Sequence, residues 1–239
     1  DVDISEPDVS PLQLQGPKSR DVLRAAFGDA PTELKYYRFM EFDWDGVPLI
    51  ISRTGWSSEL GYEIFLRDGT QGEKLWEHLM AVGGPLGLKP GHTSSIRRIE
   101  AGMLSYHADM TLANNPYEMG MGRLVDLDME ADFISKAALT LIKERGVSQQ
   151  LVGLEIDGAP FVGSNDFFWP VLKEGVKVGT VTSAIYSPRM QKNIALAMLS
   201  IDHTASGRVL QVDKLSETRA CTVVPIPFYD PKKSLATAS

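Results

Sequence analysis

The sequence predicts an α+β protein in three parts: an antiparallel sheet with helices forming a partial first domain, a helical middle segment, and a small C-terminal β-barrel or sandwich. Three observations predict this fold class. Strand-like and helix-like patterns alternate up to about residue 145. The dipeptide Asp45-Gly46 joins two strand-like runs, as in a tight hairpin. After residue 148, short runs of Val, Ile, Leu and Thr are separated by glycine turns.

The first part begins with a short strand, residues 12–15, which ends at a Gly-Pro pair. Residues 18–28 form an amphipathic helix that its final glycine closes. Two strands then flank the hairpin at 45–46, and "YEIFL" (62–66) supplies the next strand. The helix predicted over 72–84 has one face at helical spacing, formed by Leu75, His78, Leu79 and Val82.

The middle segment contains two predicted helices, over residues 92–103 and 133–146. Ser94 or Ser95 caps the first helix, and Gly146 closes the second. We place a domain boundary in the polar stretch "GVSQQ". The expected domains are therefore residues 1–147, which would bind the cofactor introduced below, and the β-rich residues 148–239.

Composition limits the kinds of partner. A hydrophobic fraction of 43% and a charged fraction of 23% are typical of a soluble globular protein. The net charge of -7 argues against a nucleic-acid-binding surface. The sequence lacks both a signal-peptide pattern and an apolar run long enough to span a bilayer. We therefore expect no nucleic acid, no membrane and a cytoplasmic location.

Metal and disulfide chemistry are not expected. Cys221 is the only cysteine, which excludes an intrachain disulfide and a cysteine-based zinc site, and which fits a reducing compartment. The four histidines have no spacing typical of metal ligands. The sequence also lacks a nucleophile elbow and a glycine-rich phosphate loop. We therefore expect chemistry that needs no nucleophile from the protein.

The stretch "SRTGWSSELGYEIFL" (52–66) places a glutamate, Glu63, inside a strand. Strand alternation puts Tyr62, Ile64 and Leu66 on one face and Glu63 with Phe65 on the other. If that second face is covered, the Glu63 carboxylate needs hydrogen-bond donors, such as the N–H groups of a heterocycle. The alternative is a glutamate that faces solvent. Trp56, in the preceding turn, either forms a pocket wall or packs over the sheet edge.

Two further groups of residues invite comparison with an active site. Arg97 and Glu100 have the spacing of an ion pair within one helix, which is the simpler interpretation. Tyr106 and His107 follow the end of that helix and form a candidate site element. Neither has a partner at a diagnostic spacing.

Taken together, several stretches resemble one known family, the glycine-cleavage T-protein (aminomethyltransferase) and its tetrahydrofolate-dependent relatives. The resemblance covers nearly the whole chain. Its stretches, in order, are "LQLQGPKSRDVL", "ISRTGWSSELGYEIF", "RRIEAGMLSYHADM", "NNPYEMGMGRLVDLD", "DFISKAAL", "GTVTSAIYSPRMQKNIALAML" and "VPIPFYDP". Each stretch alone is a weak signal, whereas their order is specific.

The resemblance implies tetrahydrofolate as cofactor and assigns it three positions. The family's strand glutamate, which pairs with the pterin ring, matches Glu63. A folate-contacting arginine of the family is replaced at the matching position by Ser94. The family's turn "GYTGEDG" has become "GWSSELG", so that Trp56 stands for Tyr and Ser58 for Gly.

The two ends of the sequence look most like the dimethylsulfoniopropionate demethylase branch, which implies methyl transfer from a small-molecule sulfonium donor to tetrahydrofolate. Trp56 and Tyr106 would then contact the sulfonium cation. The alternatives are an aminomethyltransferase acting on a lipoylated carrier protein and a non-catalytic folate-binding regulatory protein. Family members begin well upstream of the residue aligned with Asp1. We therefore expect this chain to lack the N-terminal part, and with it the catalytic residues, so that the fragment alone would be inactive.

Overall fold

The computed structural model describes residues 2–4, 6, 9–215 and 217–238. Its strands are β1 Ser10–Gln15, β2 Phe39–Trp44, β3 Val47–Ser52, β4 Gly61–Leu66, β5 Gln149–Ile156, β6 Trp169–Lys173, β7 Val176–Ser187, β8 Lys192–Ser200, β9 Val209–Asp213 and β10 Thr218–Val224. Its α-helices are α1 Ser19–Phe27, α2 Gly72–Gly83, α3 Ser95–Glu100, α4 Lys136–Arg145 and α5 Ser234–Thr237. Short 3-10 helices cover Ala30–Glu33, Gly69–Gln71, Gly84–Leu86, Gly122–Leu124 and Ile201–His203.

The chain divides into two compact units. Unit 1 comprises Asp1–Ser94 with Lys232–Ser239, and unit 2 comprises Ser95–Pro231. The C-terminal helix α5 therefore belongs to the same unit as the first four strands. The domain boundary near residue 148 that the sequence suggested stays a prediction.

Unit 1 is built on a four-stranded sheet with the order β1-β4-β3-β2, and each neighbouring pair is antiparallel. The predicted hairpin at Asp45-Gly46 is confirmed. Both residues have positive φ, 51° and 81°, as a two-residue turn between twisted strands requires. The Asp43 carboxylate accepts a hydrogen bond of 2.9 Å from the Gly46 backbone N–H and supports the turn.

One face of this sheet forms the core of unit 1. Helices α1 and α2 bury their apolar sides against it, as predicted. The buried side chains of the cluster include Val22, Leu23, Phe27, Leu49, Ile51, Tyr62, Ile64, Leu66, Leu75 and Leu79. Tyr62, Ile64 and Leu66 share the core face, whereas Glu63 and Phe65 lie half-buried on the opposite face. The predicted alternation along β4 is confirmed, and Glu63 stands outside the apolar core.

The middle segment contains less helix than the sequence suggested. Helix α3 covers Ser95–Glu100 rather than residues 92–103. It ends where Gly102 adopts a φ of 63°. The Gly102 N–H donates to the Ile99 carbonyl (2.9 Å) and the Met103 N–H to the Arg98 carbonyl (2.7 Å), the pattern of a Schellman motif. Helix α4 ends before Gly146, as predicted. Between the two helices the chain consists mainly of turns.

The last six strands form a closed barrel with the order β10-β5-β8-β7-β6-β9. Of the two arrangements left open by the sequence, barrel and sandwich, the structure shows the barrel. Its interior is filled by side chains such as Leu154, Val171, Val181 and Val212, none of which is exposed. Strand β7 of the barrel contains a β-bulge in its pairing with β8. The register of β7 shifts between Val181 and Ser183, so Thr182 is an extra, bulged residue.

Cys221 lies on β10 with 1% of its surface exposed. Burial raises the pKa of its thiol to about 12. The raised pKa means that the folded state favours the protonated thiol. The free energy of unfolding therefore falls as the pH rises above about 8.5, the pKa of the thiol in the unfolded chain.

We predict that a thiol-specific reagent at neutral pH labels Cys221 in the native protein more than about 100-fold slower than in the urea-unfolded protein. Equal rates would show that the thiol is accessible.

The described residues contain neither a membrane-spanning helix nor a cluster of metal ligands. None of their helices is long and apolar enough to cross a bilayer. Nor do three or more His, Cys, Asp or Glu side chains in this part of the chain converge as they would around a metal ion.

Candidate functional site

The Glu63 carboxylate is held on the outer face of the sheet by its neighbours across the strands. Gln13 of β1 and Ser52 of β3 are its direct cross-strand partners. Gln13 Nε2 donates to Glu63 Oε1 at 3.2 Å. Thr54 Oγ1 donates to Glu63 Oε2, and the Ser52 and Thr54 hydroxyl oxygens lie 2.5 Å apart. Each carboxylate oxygen thus has one donor among the described residues.

This arrangement leaves Glu63 able to bind a further partner. A carboxylate offers about four lone-pair positions, of which Gln13 and Thr54 occupy two. One acceptor position remains on each oxygen. The carboxylate is half-buried, which strengthens a hydrogen bond to it relative to bulk water. A planar group with two adjacent N–H donors would match both positions at once.

The turn that precedes β4 is organised around the side chain of Gln15, the last residue of β1. Gln15 Nε2 donates to the carbonyl of Thr54 (3.3 Å) at the start of the turn and to that of Tyr62 (3.2 Å) just after its end. Ser57 Oγ donates to Gln15 Oε1 at 2.5 Å. The amide therefore crosses the turn and binds its beginning, middle and end.

Both ends of the turn are also fixed from outside. At the far end, the Leu60 carbonyl accepts hydrogen bonds from the Gly16 N–H (2.8 Å) and from Ser19 Oγ (3.1 Å). At the near end, Arg53 is 3% exposed. Its guanidinium donates to the carbonyls of Leu34 (3.1 Å), Ala236 (3.0 Å) and Ala238 (2.7 Å). The C-terminal segment thus supports the start of the turn.

Ser58 adopts a φ of 56°, a left-handed conformation that side chains disfavour. We predict that Ser58→Gly raises the free energy of unfolding by about 0.5 to 1 kcal/mol, because the relief of strain exceeds the entropy cost of glycine. Urea denaturation measures the change. Ser57→Gly is the matched control. It removes the hydroxyl bound to Gln15, so we expect it to lower stability by about 1 kcal/mol. A stability loss in Ser58→Gly would contradict this account of the turn.

The other residues singled out from the sequence occupy separate places. Trp56 is half-buried in the turn before Glu63, so these two belong to one continuous segment of unit 1. Ser94 is half-buried and directly precedes α3. Tyr106 lies in unit 2 and is 48% exposed, and its ring centroid is 4.3 Å from that of His107.

The predicted contact between Arg97 and Glu100 is present, with 2.7 Å between Arg97 Nη1 and Glu100 Oε2. Glu100 is also buried, at 2% exposure, which no pattern in the sequence indicates. Ser187 Oγ donates to its Oε1 at 2.5 Å, and Arg189 Nη1 lies 3.7 Å from its Oε2. Two cations and a hydroxyl therefore stabilise this carboxylate, which ties α3 to the end of β7.

A second polar network lies inside unit 2. Arg98 Nη1 donates to Asp109 Oδ2 at 2.9 Å, and Arg98 Nη2 donates to Ser183 Oγ at 2.9 Å. The hydroxyls of Thr182 (2.7 Å) and Ser183 (2.6 Å) both donate to Asp109 Oδ1. Adjacent strand residues normally point to opposite faces, and the bulge at Thr182 allows both hydroxyls to reach the same carboxylate.

Comparison with protein families identifies the chain. The family model described as the GCVT N-terminal domain matches residues 1–129, and that of the glycine cleavage T-protein C-terminal barrel domain matches residues 149–230. The chain belongs to the glycine cleavage T-protein family. The resemblance inferred from the sequence is thereby confirmed.

Curated relatives within the T-protein family carry two kinds of name. A dimethylsulfoniopropionate demethylase of Ruegeria pomeroyi is 38% identical over 223 residues, which are 93% of this chain and 60% of the relative. An aminomethyltransferase of Bacillus cereus is 34% identical over 232 residues, which are 95% of this chain and 62% of the relative. The chain therefore spans 60–62% of the length of these curated relatives.

A solved structure shows the same fold. The glycine cleavage system aminomethyltransferase T from Bartonella henselae superimposes with a TM-score of 0.78 at 23% identity, over 92% of this chain and 60% of that chain. This agreement confirms the predicted combination of an antiparallel sheet with helices and a C-terminal barrel.

Sequence reasoning missed the residues that hold the turn before β4 in place. Gln13, Gln15 and Thr54 were not singled out, although each binds the turn or Glu63. A signal was present in "LQLQ", where two glutamines alternate with leucines and therefore share one face of the strand. Polar residues repeated on the same face of a strand indicate a polar surface, but they do not indicate what that surface contacts.

Proposed function

We propose that this T-protein family member transfers a methyl group from a small onium compound to tetrahydrofolate and forms 5-methyltetrahydrofolate. Dimethylsulfoniopropionate is the proposed donor. The observation that carries the proposal is the Glu63 carboxylate, which is oriented by Gln13 and Thr54 and keeps one acceptor position on each oxygen. A pterin presents an N–H and an NH2 group side by side, so it would donate to both oxygens at once.

The proposed cofactor site comprises Glu63 with Trp56 and Ser94. The pterin edge would face Glu63, and the indole of Trp56 supplies an aromatic surface in the adjacent turn. Ser94 would contribute a small hydroxyl where the family has a cationic arginine. In this proposal residues 1–147 form the folate-binding domain and residues 148–239 the barrel domain, and the protein acts in the cytoplasm.

Trp56 is the proposed aromatic contact of the methyl donor, and the role in donor binding that the sequence suggested for Tyr106 stays a prediction. A sulfonium is a cation without N–H donors, so aromatic faces attract it where a hydrogen-bonding site would not. Identity of 38% with the Ruegeria demethylase supports this donor. A small molecule of this kind needs no nucleic acid or membrane as a partner.

The reaction requires little acid–base chemistry from the protein. The lone pair on N5 of tetrahydrofolate attacks the methyl carbon, the C–S bond breaks, and its electron pair leaves with sulfur as a neutral thioether. N5 then loses its proton to solvent. Because the nucleophile belongs to the cofactor and the leaving group is neutral, holding the two reactants in line would supply most of the acceleration.

A second function is favoured by a specific observation. Aminomethyltransferases of Bacillus species match 95% of this chain at 34% identity, close to the figure for the demethylase. In this alternative the donor is an aminomethyl group on a lipoylated carrier protein. The same Glu63 site would hold the tetrahydrofolate, so the two functions differ in the donor and not in the cofactor.

A donor assay with the complete gene product tests the proposal. The protein is incubated with tetrahydrofolate and either dimethylsulfoniopropionate or an aminomethylated lipoyl carrier, and the folate products are separated by chromatography. We expect 5-methyltetrahydrofolate with the sulfonium donor only. Formation of 5,10-methylenetetrahydrofolate with the carrier only would establish the aminomethyltransferase. Folate binding without turnover of either donor would favour a non-catalytic folate-binding protein.

A further inference from the structure

We propose that Gln15 is a positioning residue, which holds the turn of residues 53–61 so that Trp56 and Glu63 are presented in one fixed arrangement. Its relevance to folate rests on the function proposed above. Gln15 itself would not touch the cofactor or the donor. It acts through the turn, in which it makes three hydrogen bonds to residues distant from it in sequence.

The hydrogen-bonding groups of the Gln15 amide are all used inside the turn. Its nitrogen donates to the carbonyls of Thr54 and Tyr62, and its oxygen accepts from Ser57. A primary amide has two N–H donors, so both are engaged, and its carbonyl has a short, strong donor. No other residue type has this length and this combination of donors and acceptor.

The Gln15 amide also passes close to two glycines of the turn, Gly55 and Gly61. A Cβ atom built on either one would overlap the amide. For each glycine, the three nearest atoms all belong to Gln15. Neither glycine is in the left-handed region, so their backbone conformations would accept alanine. A Cβ at either position would therefore displace the Gln15 amide from its place in the turn.

The turn carries both the Thr54 hydroxyl that donates to Glu63 and the indole of Trp56. Gln15 holds the Thr54 carbonyl, while the Thr54 hydroxyl donates to Glu63. Trp56 lies between two residues that meet the Gln15 amide. A Cβ on Gly55 would overlap the amide, and the Ser57 hydroxyl donates to it. A loose turn would thus move the donor on Glu63 and the indole together. Holding them in advance lowers the ordering cost of binding.

Glycine substitution tests the steric part without any ligand. We expect Gly61→Ala to destabilise the otherwise unchanged chain and to be tolerated in the Gln15→Ala background, so that the two substitutions are strongly coupled in a double-mutant cycle. The readout is the urea midpoint. Additive effects would overturn the proposal, because they would mean that the Gln15 amide is not what excludes a Cβ at Gly61.

Tryptophan labelling tests the positioning itself. The chain has four tryptophans, and 5-fluorotryptophan gives each a ¹⁹F resonance, with that of Trp56 assigned by Trp56→Phe. In Gln15→Met, which keeps the length and removes the hydrogen bonds, we expect the Trp56 resonance to shift and broaden while the other three stay unchanged. Gln71→Met is the matched control, because Gln71 lies in the same unit and, among the described residues, its side chain bonds only to the adjacent Thr70. An unchanged Trp56 resonance in Gln15→Met would overturn the proposal.

Folate titration distinguishes this proposal from the proposed function. If the positioning role of Gln15 and the proposed function both hold, calorimetry gives about tenfold weaker tetrahydrofolate binding in Gln15→Met and no change in Gln71→Met. If the unsubstituted protein does not bind folate but the Trp56 resonance and the glycine cycle behave as expected, the function fails and the positioning role stands. If folate binds equally well to Gln15→Met, the positioning role for this site is overturned.

Discussion

Asp109→Ala is expected to lower the free energy of unfolding by about 3 to 5 kcal/mol. The Asp109 side chain has no exposed surface, and the Arg98 side chain paired with it is 9% exposed. Removing the carboxylate would take away the anion that faces the buried guanidinium, and it would remove an acceptor from the hydroxyls of Thr182 and Ser183. Breaking a buried ion pair in this way costs more than the pair itself contributes.

Urea denaturation followed by circular dichroism measures the loss. Asp166→Ala is the matched control in the same unit, because Asp166 is exposed, and we expect it to change stability by less than about 0.5 kcal/mol. If Asp109→Ala costs no more than Asp166→Ala, the buried network does not stabilise the junction between the middle segment and the barrel strand β7.

Glu63→Gln is expected to weaken tetrahydrofolate binding by about 10- to 100-fold. A charge-assisted hydrogen bond contributes about 1.5 to 3 kcal/mol, and each 1.4 kcal/mol corresponds to a factor of ten in affinity. The substitution keeps the size of the side chain but replaces one acceptor oxygen by an NH2 group. Because an NH2 group is itself a donor, it would oppose another donor, either one of the pterin or the one on Gln13 or Thr54.

Isothermal titration calorimetry measures this change. Glu41→Gln is the matched control, because Glu41 is an exposed strand glutamate of the same sheet, on β2. It should bind tetrahydrofolate as the unsubstituted protein does. Equal affinity of Glu63→Gln and Glu41→Gln would show that the Glu63 carboxylate does not recognise the pterin.

The fold was predictable where a local signal decides the structure. Asp45-Gly46 specifies its hairpin, and helix α2 follows from apolar residues at helical spacing, because neither depends on distant residues. Helix α3 is shorter than predicted. The residues before Ser95 extend the helical pattern in sequence, but they lie outside the helix in the structure. Patterns locate elements more reliably than they locate element ends.

The candidate site was predictable only in part, because it depends on contacts between distant residues. Strand alternation placed Glu63 and Tyr62 on opposite faces of β4, but composition could not decide which of the two faces is covered. Gln13, which donates to Glu63, and Gln15, which accepts from Ser57 of the turn, both lie on β1, 50 and 42 positions before these partners. The burial of Asp109 similarly depends on β7 and its bulge, which no local pattern announces.

Recognition of the pterin by Glu63 would be directly visible in a crystal structure of the complete gene product with tetrahydrofolate. We expect the pterin ring to donate from two adjacent nitrogens to the two oxygens of Glu63, at about 2.7 to 3.2 Å, while Gln13 and Thr54 keep their hydrogen bonds to the same carboxylate. A pterin bound elsewhere, with Glu63 bonded only to Gln13 and Thr54, would contradict this recognition.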